Sequence, residues 1–238
     1  MKLRTSIFYT IILLSVISLV GCEKDRTILK EDITIPQDIK GIVVGGSWDV
    51  VVVQDEKSSA SIEYSAFLED DILAVVEEDG YLYLGMKNTV GVRRKDAVAY
   101  VNAPTIELIK LSGASDADFT GKFYNENCTI DISGSSDMEG FYFTGYSLEI
   151  EIGGASDCNM SGEVNNVSLT CNGSSDVKAL DLYTNTLDVN INGSSDAKMS
   201  VSYKITGSIS GASSLEYRGN PDVSEVKLSG ASELKQVR

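Results

Sequence analysis

A near-repeat of 20 residues dominates the second half of the chain and constrains its fold more than any other feature. Aligned on one glycine, the copies read "KLSGASDADF" (Gly113), "DISGSSDMEG" (Gly134), "EIGGASDCNM" (Gly154), "TCNGSSDVKA" (Gly173), "NINGSSDAKM" (Gly193), "SISGASSLEY" (Gly211) and "KLSGASELKQ" (Gly230). Successive glycines lie 21, 20, 19, 20, 18 and 19 residues apart. A fixed period of this size marks stacked units, each unable to bury its apolar face alone. The Leu and Asn spacing of leucine-rich repeats is missing.

Strict alternation precedes each glycine. Leu148, Ile150 and Ile152 alternate with Glu149 and Glu151, and Leu187, Val189 and Ile191 repeat the pattern. Cys128, Ile130 and Ile132, then Val167, Leu169 and Cys171, fill the same slots. Period-2 alternation predicts strands with one buried face. It resumes after the turn at Ala117 and Phe119, Cys158 and Met160, Val177 and Ala179, Ala197 and Met199, and Leu215 and Tyr217. Each unit is therefore strand, sharp corner, strand and a looser return such as "FTGYS" or "LYTNT". The expected fold is all-β: a parallel β-helix of about seven coils, right-handed as coiled β connections are. An antiparallel meander is the rival, but it calls for two-residue Asn-Gly hairpins between neighbouring strands. At the corner, glycine supplies the unusual backbone angles. The Ala or Ser that follows is expected to be small because coils crowd it, and Ser and Asp to bond nearby backbone.

The corners raise two chemical possibilities. Asp116, Asp137, Asp157, Asp176 and Asp196 would line up as a carboxylate column able to recruit a divalent cation. The alternative is that they fan into solvent and cap the turn, and the Gly-Gly-x-Gly-x-Asp nonapeptide of calcium-binding β-rolls is missing. Ser175/Lys178 and Ser195/Lys198 match Ser-x-x-Lys, but on β-corners and with neither Ser-Asp-Asn nor Lys-Thr-Gly in company. The repeat generates that match, as it does most of the sequons at Asn127, Asn159, Asn166, Asn172 and Asn192. No catalytic, metal or cofactor set is expected.

Composition narrows the function classes. The chain has 238 residues, a net charge of −15 and no histidine, the commonest general base and metal ligand. That charge argues against nucleic acid and against adsorption to anionic lipid headgroups. Apart from Cys22, the cysteines are Cys128, Cys158 and Cys171. They form no CxxC pair and fall on apolar ladder positions, so they read as buried hydrophobes, with one disulfide among them open.

The N-terminus has the layout of a signal peptide over residues 1–21: Lys2 and Arg4, then "IFYTIILLSVISLV", then Gly21. "SLVGC" resembles a bacterial lipobox, which implies cleavage before Cys22 and a diacylglycerol on its thiol. Residues 22–32, "CEKDRTILKED", are polar and aperiodic and are expected to form a lipidated tether holding the fold off the bilayer. Glu23 and Asp25 resemble surface-export signals of Bacteroidetes lipoproteins. Residues 33–105 lack the repeat but are β-rich, with "GIVVGGSWDVVVVQ" and "YLYLGM", and "GGSWDV" reads as a degenerate first corner. They should cap or continue the coils of 106–238, because a bare β-helix end leaves unpaired edges.

"GIVVGGSWDVVVV", "NAPTIELIKLSGASD", the "SG[AS]SD" coils and "SGASSLEYRGNP" together resemble the putative auto-transporter adhesin, head GIN domain family over roughly residues 40–235. The usual family corner is Ser-Gly-Ala-Gly or Ser-Gly-Ser-Gly, so a serine stands here in place of the second glycine. The resemblance implies a β-solenoid and an adhesin role, with no catalytic residues to carry over. The expected function is thus a non-enzymatic envelope lipoprotein of the outer membrane, periplasmic or surface-exposed. It would bind glycan or protein, with Tyr142, Tyr146 and Tyr183 on the return side as stacking candidates. An envelope scaffold is the alternative. A polysaccharide-active β-helix enzyme ranks below both, since the acids are spread by the repeat. Coils of two chains stacking into an oligomer is left open.

Overall fold

The computed structural model describes residues 24–238, and the signal segment 1–21 and Cys22 lie outside them. Eighteen strands form one sheet around a single apolar core. The first seven are β1 (Ile28–Asp32), β2 (Gly41–Gly46), β3 (Asp49–Gln54), β4 (Ser59–Ser65), β5 (Ile72–Val76), β6 (Tyr81–Met86) and β7 (Ala97–Ala103). The repeats then supply β8 (Leu108–Gly113), β9 (Asp116–Thr120), β10 (Lys122–Tyr124), β11 (Asn127–Ile132), β12 (Asp137–Ile152), β13 (Asp157–Cys171), β14 (Asp176–Ile191), β15 (Asp196–Ile209), β16 (Ser214–Arg218), β17 (Asp222–Leu228) and β18 (Glu233–Gln236). A single 3-10 turn at Ala66–Leu68 is the helical element among the described residues.

The fold is the expected β-solenoid. Within 106–238 each strand pairs in parallel with its equivalent one coil on, and the seven repeat corners enclose six full turns. The alternating residues stack as ladders. One runs Ile42, Ile109, Ile130, Ile150, Leu169 and Val189; across the core another runs Val50, Ala117, Met138, Cys158, Val177, Ala197 and Leu215. All of these are at most 2% exposed, so each large rung adds about 1.5–3 kcal/mol of apolar burial. Phe119, Phe123, Phe141 and Phe143 fill the wider early coils, with ring centroids 4.9–5.9 Å apart. Cys128, Cys158 and Cys171 are free and buried in these ladders, and burial raises each thiol's pKa.

Two features of the N-terminal part differ from a simple cap. First, spatial order is not chain order. The β2–β3 coil is flanked on one side by β8 and β9 and on the other by β6 and β7, all parallel to it. Antiparallel strands β5 on β6, and β4 then β1 on β7, finish that end. Second, the segment expected to be a tether is packed onto the domain from its first described residue. Ile28–Asp32 is β1, and Arg26 forms an ion pair with Asp96, itself 6% exposed. Lys24 and Arg26 lie over the Phe67 ring at 4.4 and 5.1 Å.

Candidate functional site

The corner glycines form a column in which each has φ between +76° and +92°. A Cβ on any of them would stand 2.3–2.7 Å from the carbonyl oxygen of the preceding column glycine. Gly46, with a wider φ of +112°, stacks ahead of these seven in register with Gly113, so "GGSWDV" is a corner of related kind. The amide after each glycine donates to the previous glycine's carbonyl, as Ala155 to Gly134 at 2.9 Å and Ser174 to Gly154 at 2.8 Å.

The crowded side chain is not the residue after glycine, which is exposed, but the serine beyond it. Ser115, Ser136, Ser156, Ser175, Ser195 and Ser213 are at most 2% exposed. The hydroxyls of Ser136, Ser156, Ser195 and Ser213 accept from the serine amide of the previous coil, as Ser195 Oγ does from Ser175 N at 3.3 Å, and those of Ser115, Ser175 and Ser195 donate to the carbonyl three residues back. In the first corner Trp48 takes the serine's place, and its indole N–H has no partner among the described residues. The Ser-x-x-Lys matches therefore make no dyad. Ser175 and Ser195 are sealed in the corner, while Lys178 pairs with Asp157 at 3.3 Å and Lys198 with Glu216 at 3.0 Å.

The aspartates do fall in register, Asp116 beside Asp137 and Asp157, Asp176 and Asp196 following, with Asp49 ahead of them. The column is matched by cations and donors: Arg94 reaches Asp49 at 3.3 Å and Asp116 at 3.2 Å, and Ser214 donates to Asp196 at 2.6 Å. Burial raises the Asp116 pKa, with Asp137 and Asp49 adding to this and Arg94 opposing it. Among the described residues no His, Cys, Asp and Glu side chains group so as to hold a metal ion.

A concavity of the coils lies at the opposite, return corner, where the alternation lapses. Tyr124, Thr144, Glu163, Tyr183, Ser200 and Arg218 form one column there, in register. The chain turns at Gly145, Val164, Thr184, Val201 and Gly219, leaving a groove of about 500 Å³ parallel to the solenoid axis. Its floor is the buried Val164, Thr184 and Val201. One wall is a side-chain ladder in which Ser202 Oγ donates to Asn185 Oδ1 at 2.8 Å and Asn185 Nδ2 to Asn165 Oδ1 at 2.6 Å. Tyr183, 53% exposed, stands on the other side with Glu163, and Arg218 closes one end, donating to the Leu180 carbonyl at 3.4 Å.

Of the three tyrosines expected to stack on sugars, Tyr183 lines the groove. Tyr146 is exposed beside Gly145, and Tyr142 is half-buried with its ring under the Lys122 ammonium at 4.8 Å. The sequence reading missed Asn165, Asn185, Ser202 and Arg218, whose one common sign is that they sit where inward-outward alternation breaks.

Solved structures share this architecture. A putative adhesin from Bacteroides fragilis is 19% identical with a TM-score of 0.78, the match covering 89% of this chain and 98% of that one. A putative adhesin from Parabacteroides merdae is 17% identical with a TM-score of 0.69, covering 90% and 98%. A protein from Parabacteroides distasonis described as a putative lipid binding protein is 17% identical with a TM-score of 0.67, also covering 90% and 98%. At such identities the likeness is one of fold. No curated protein matches the sequence. The family model described as "Putative auto-transporter adhesin, head GIN domain" matches residues 38–221, from the strand lead-in through six repeat corners and the whole groove, and the chain belongs to that family.

Proposed function

We propose that this chain is a cell-envelope lipoprotein, anchored through Cys22, that serves as an adhesin-type binding module and holds an extended saccharide in the return-corner groove. The observation that carries the reading is the groove itself. It is linear, runs across successive coils about 4.8 Å apart, and offers one amide or hydroxyl per coil along one wall with an aromatic face opposite. That spacing is close to the advance of one pyranose along an extended chain, and amide and hydroxyl groups match sugar hydroxyls in kind. Glu163 is the single carboxylate of the lining, whereas glycoside hydrolysis ordinarily uses a flanking pair, so the groove is suited to holding rather than cutting. Family membership supports an adhesin role.

The test is a glycan array probed with the protein lacking its signal segment, followed by titration of any hit. Tyr183→Ala should weaken binding about ten-fold or more, as loss of an aromatic anchor does, and Tyr142→Ala should not. An array without hits, or binding indifferent to Tyr183, would overturn the saccharide assignment. Binding of an acyl lipid instead would redirect it to the apolar floor at Val164 and Val201.

A further inference from the structure

The chain carries 35 acidic against 20 basic residues, yet the loop joining β6 to β7, "KNTVGVRRKD" (87–96), holds four cations and a single acid, the buried Asp96. The first described residues add two more. Lys24 Nζ donates to the Val90 carbonyl, and Arg26 donates to the Gly91 carbonyl at 3.2 Å. Two of the six charges are matched locally: Arg26 by the buried Asp96, and Arg94 by Asp49 and Asp116. The side-chain charges of Lys24, Lys87, Arg93 and Lys95 form no ion pair among the described residues, although the Arg93 and Lys95 amides donate to Asp96 and Asp49, and Lys87 turns to the Asp70 carbonyl at 2.9 Å. Asp25, which follows Lys24, accepts the Thr27 amide at 2.9 Å. In the middle of this basic surface Val90 is 75% exposed, more than any other large apolar side chain among the described residues.

The position of the loop gives these charges a meaning. Cys22 precedes Lys24 by two residues, and two residues span at most about 7 Å. Because Lys24 is held against Val90, an acyl chain on Cys22 would enter the bilayer beside this loop, with no spacer between lipid and domain. An apolar tip ringed by unmatched cations at that point is complementary to a layer of phosphates. Within a Debye length of about 8 Å the local charge outweighs the net −15 of the whole chain.

We propose that the β6–β7 end of the solenoid is a membrane-seating surface, in which Val90, Lys24, Lys87, Arg93 and Lys95 rest on anionic phospholipid headgroups of the leaflet that receives the Cys22 anchor. The solenoid then stands away from that leaflet, with its groove and last coil displaced along the axis. The inference rests on the lipidation of Cys22 proposed above. Each Lys or Arg near such a surface favours the seated state about five-fold, so losing two of them shifts the seated-to-lifted ratio about 25-fold, and the charge-reversed double variant Arg93→Glu/Lys95→Glu should shift it by at least about 25-fold.

The test uses the processed lipoprotein in vesicles of phosphatidylcholine with and without phosphatidylglycerol. A fluorophore is placed through Val90→Cys, or through Ser229→Cys in the last coil, about 38 Å away by strand spacing. The three native thiols are buried and resist labelling. Shallow spin-labelled lipids should quench the probe at position 90 several-fold more than at 229. The difference should grow with phosphatidylglycerol and be lost in the charge-reversed variant. Equal quenching at the two positions, or indifference to both phosphatidylglycerol and charge reversal, while the protein stays on the vesicles, overturns the seating surface alone. A protein that does not float with vesicles at all overturns the anchor and the seating surface together.

Discussion

Replacing Gly154 by alanine tests the glycine column against its immediate neighbour. Gly154 has φ +85°, and an added Cβ would lie 2.3 Å from the Gly134 carbonyl oxygen and 3.0 Å from its nitrogen, both backbone atoms fixed by the adjoining coil. The left-handed backbone alone costs alanine about 1–2 kcal/mol. Relieving the overlap pulls apart two corner hydrogen bonds, Ala155 to Gly134 and Ser174 to Gly154, at about 0.5–1.5 kcal/mol each. Together these come to about 2–5 kcal/mol, or roughly 10 °C in Tm for a chain of this size. Gly153, one residue earlier, is not in the left-handed region, and its added Cβ would meet the Asn172 carbonyl at an ordinary 3.9 Å. Gly153→Ala should be neutral or stabilising by up to about 1 kcal/mol, through the reduced freedom of the unfolded chain. Paired urea and thermal denaturation of the two variants reads the difference. If both lose the same stability, or Gly154→Ala stays within about 0.5 kcal/mol of the parent, close stacking of corner backbones is not what demands glycine.

Ser195→Ala removes the acceptor of the buried Ser175 amide and should cost about 1–3 kcal/mol, whereas Ala at the exposed Ser194 should stay within about 0.5 kcal/mol, both read by urea denaturation. Burial opposes ionisation of Asp96, but Arg26, the Arg93 amide and Ser65 more than offset it and hold its pKa below the usual 3.8. A depressed folded-state pKa stabilises above 3.8 and that contribution fades as pH falls through the folded value. Hydrogen exchange in β1 should therefore quicken first on acidification below about pH 4, and Asp96→Asn should remove that pH dependence; unchanged β1 protection down to pH 2 would refute the role of the pair. Cys22→Ser should move the protein from the membrane to the soluble fraction, and a variant that remains membrane-bound refutes lipid anchoring.

What could be read from the chain follows from what alternation encodes. Period-2 burial states which side chains face inward, so the rungs Ile130, Ile150, Leu169 and Val189 and the corners between them were legible, as was Gly46 as a first corner. Alternation does not say which strand lies beside which. That Tyr81–Met86 and Ala97–Ala103 would pass beneath Gly41–Gln54, leaving the first coil in the middle, had no local sign. Local sequence misled in two places. "EKDRTILKED" reads as solvated because the partner of Arg26, Asp96, is 70 residues away. The crowding expected on the Ala or Ser after glycine falls instead on the serine beyond it, because the amide that Ser195 accepts from, that of Ser175, belongs to the previous coil 20 residues away. The groove was legible only as the place where regularity fails, and the side chains that line it are typical of a return loop.

The displaced order of the early strands sets a direction for assembly. The β2–β3 coil acquires both neighbours only after residues 41–120 have all been made, so this block must close its long-range pairs before a template exists. Each later coil needs only the coil before it and adds about 20 residues in a nearest-neighbour step. Substitutions in the block should slow folding, while those in the later coils should chiefly hasten fraying from the Arg238 end. A whole unit such as 154–172 is then a removable increment: excising it joins Gly153 to Gly173, stacks the Gly173 corner on Gly134 and shortens the rod by one rung without disturbing the base from which it grows.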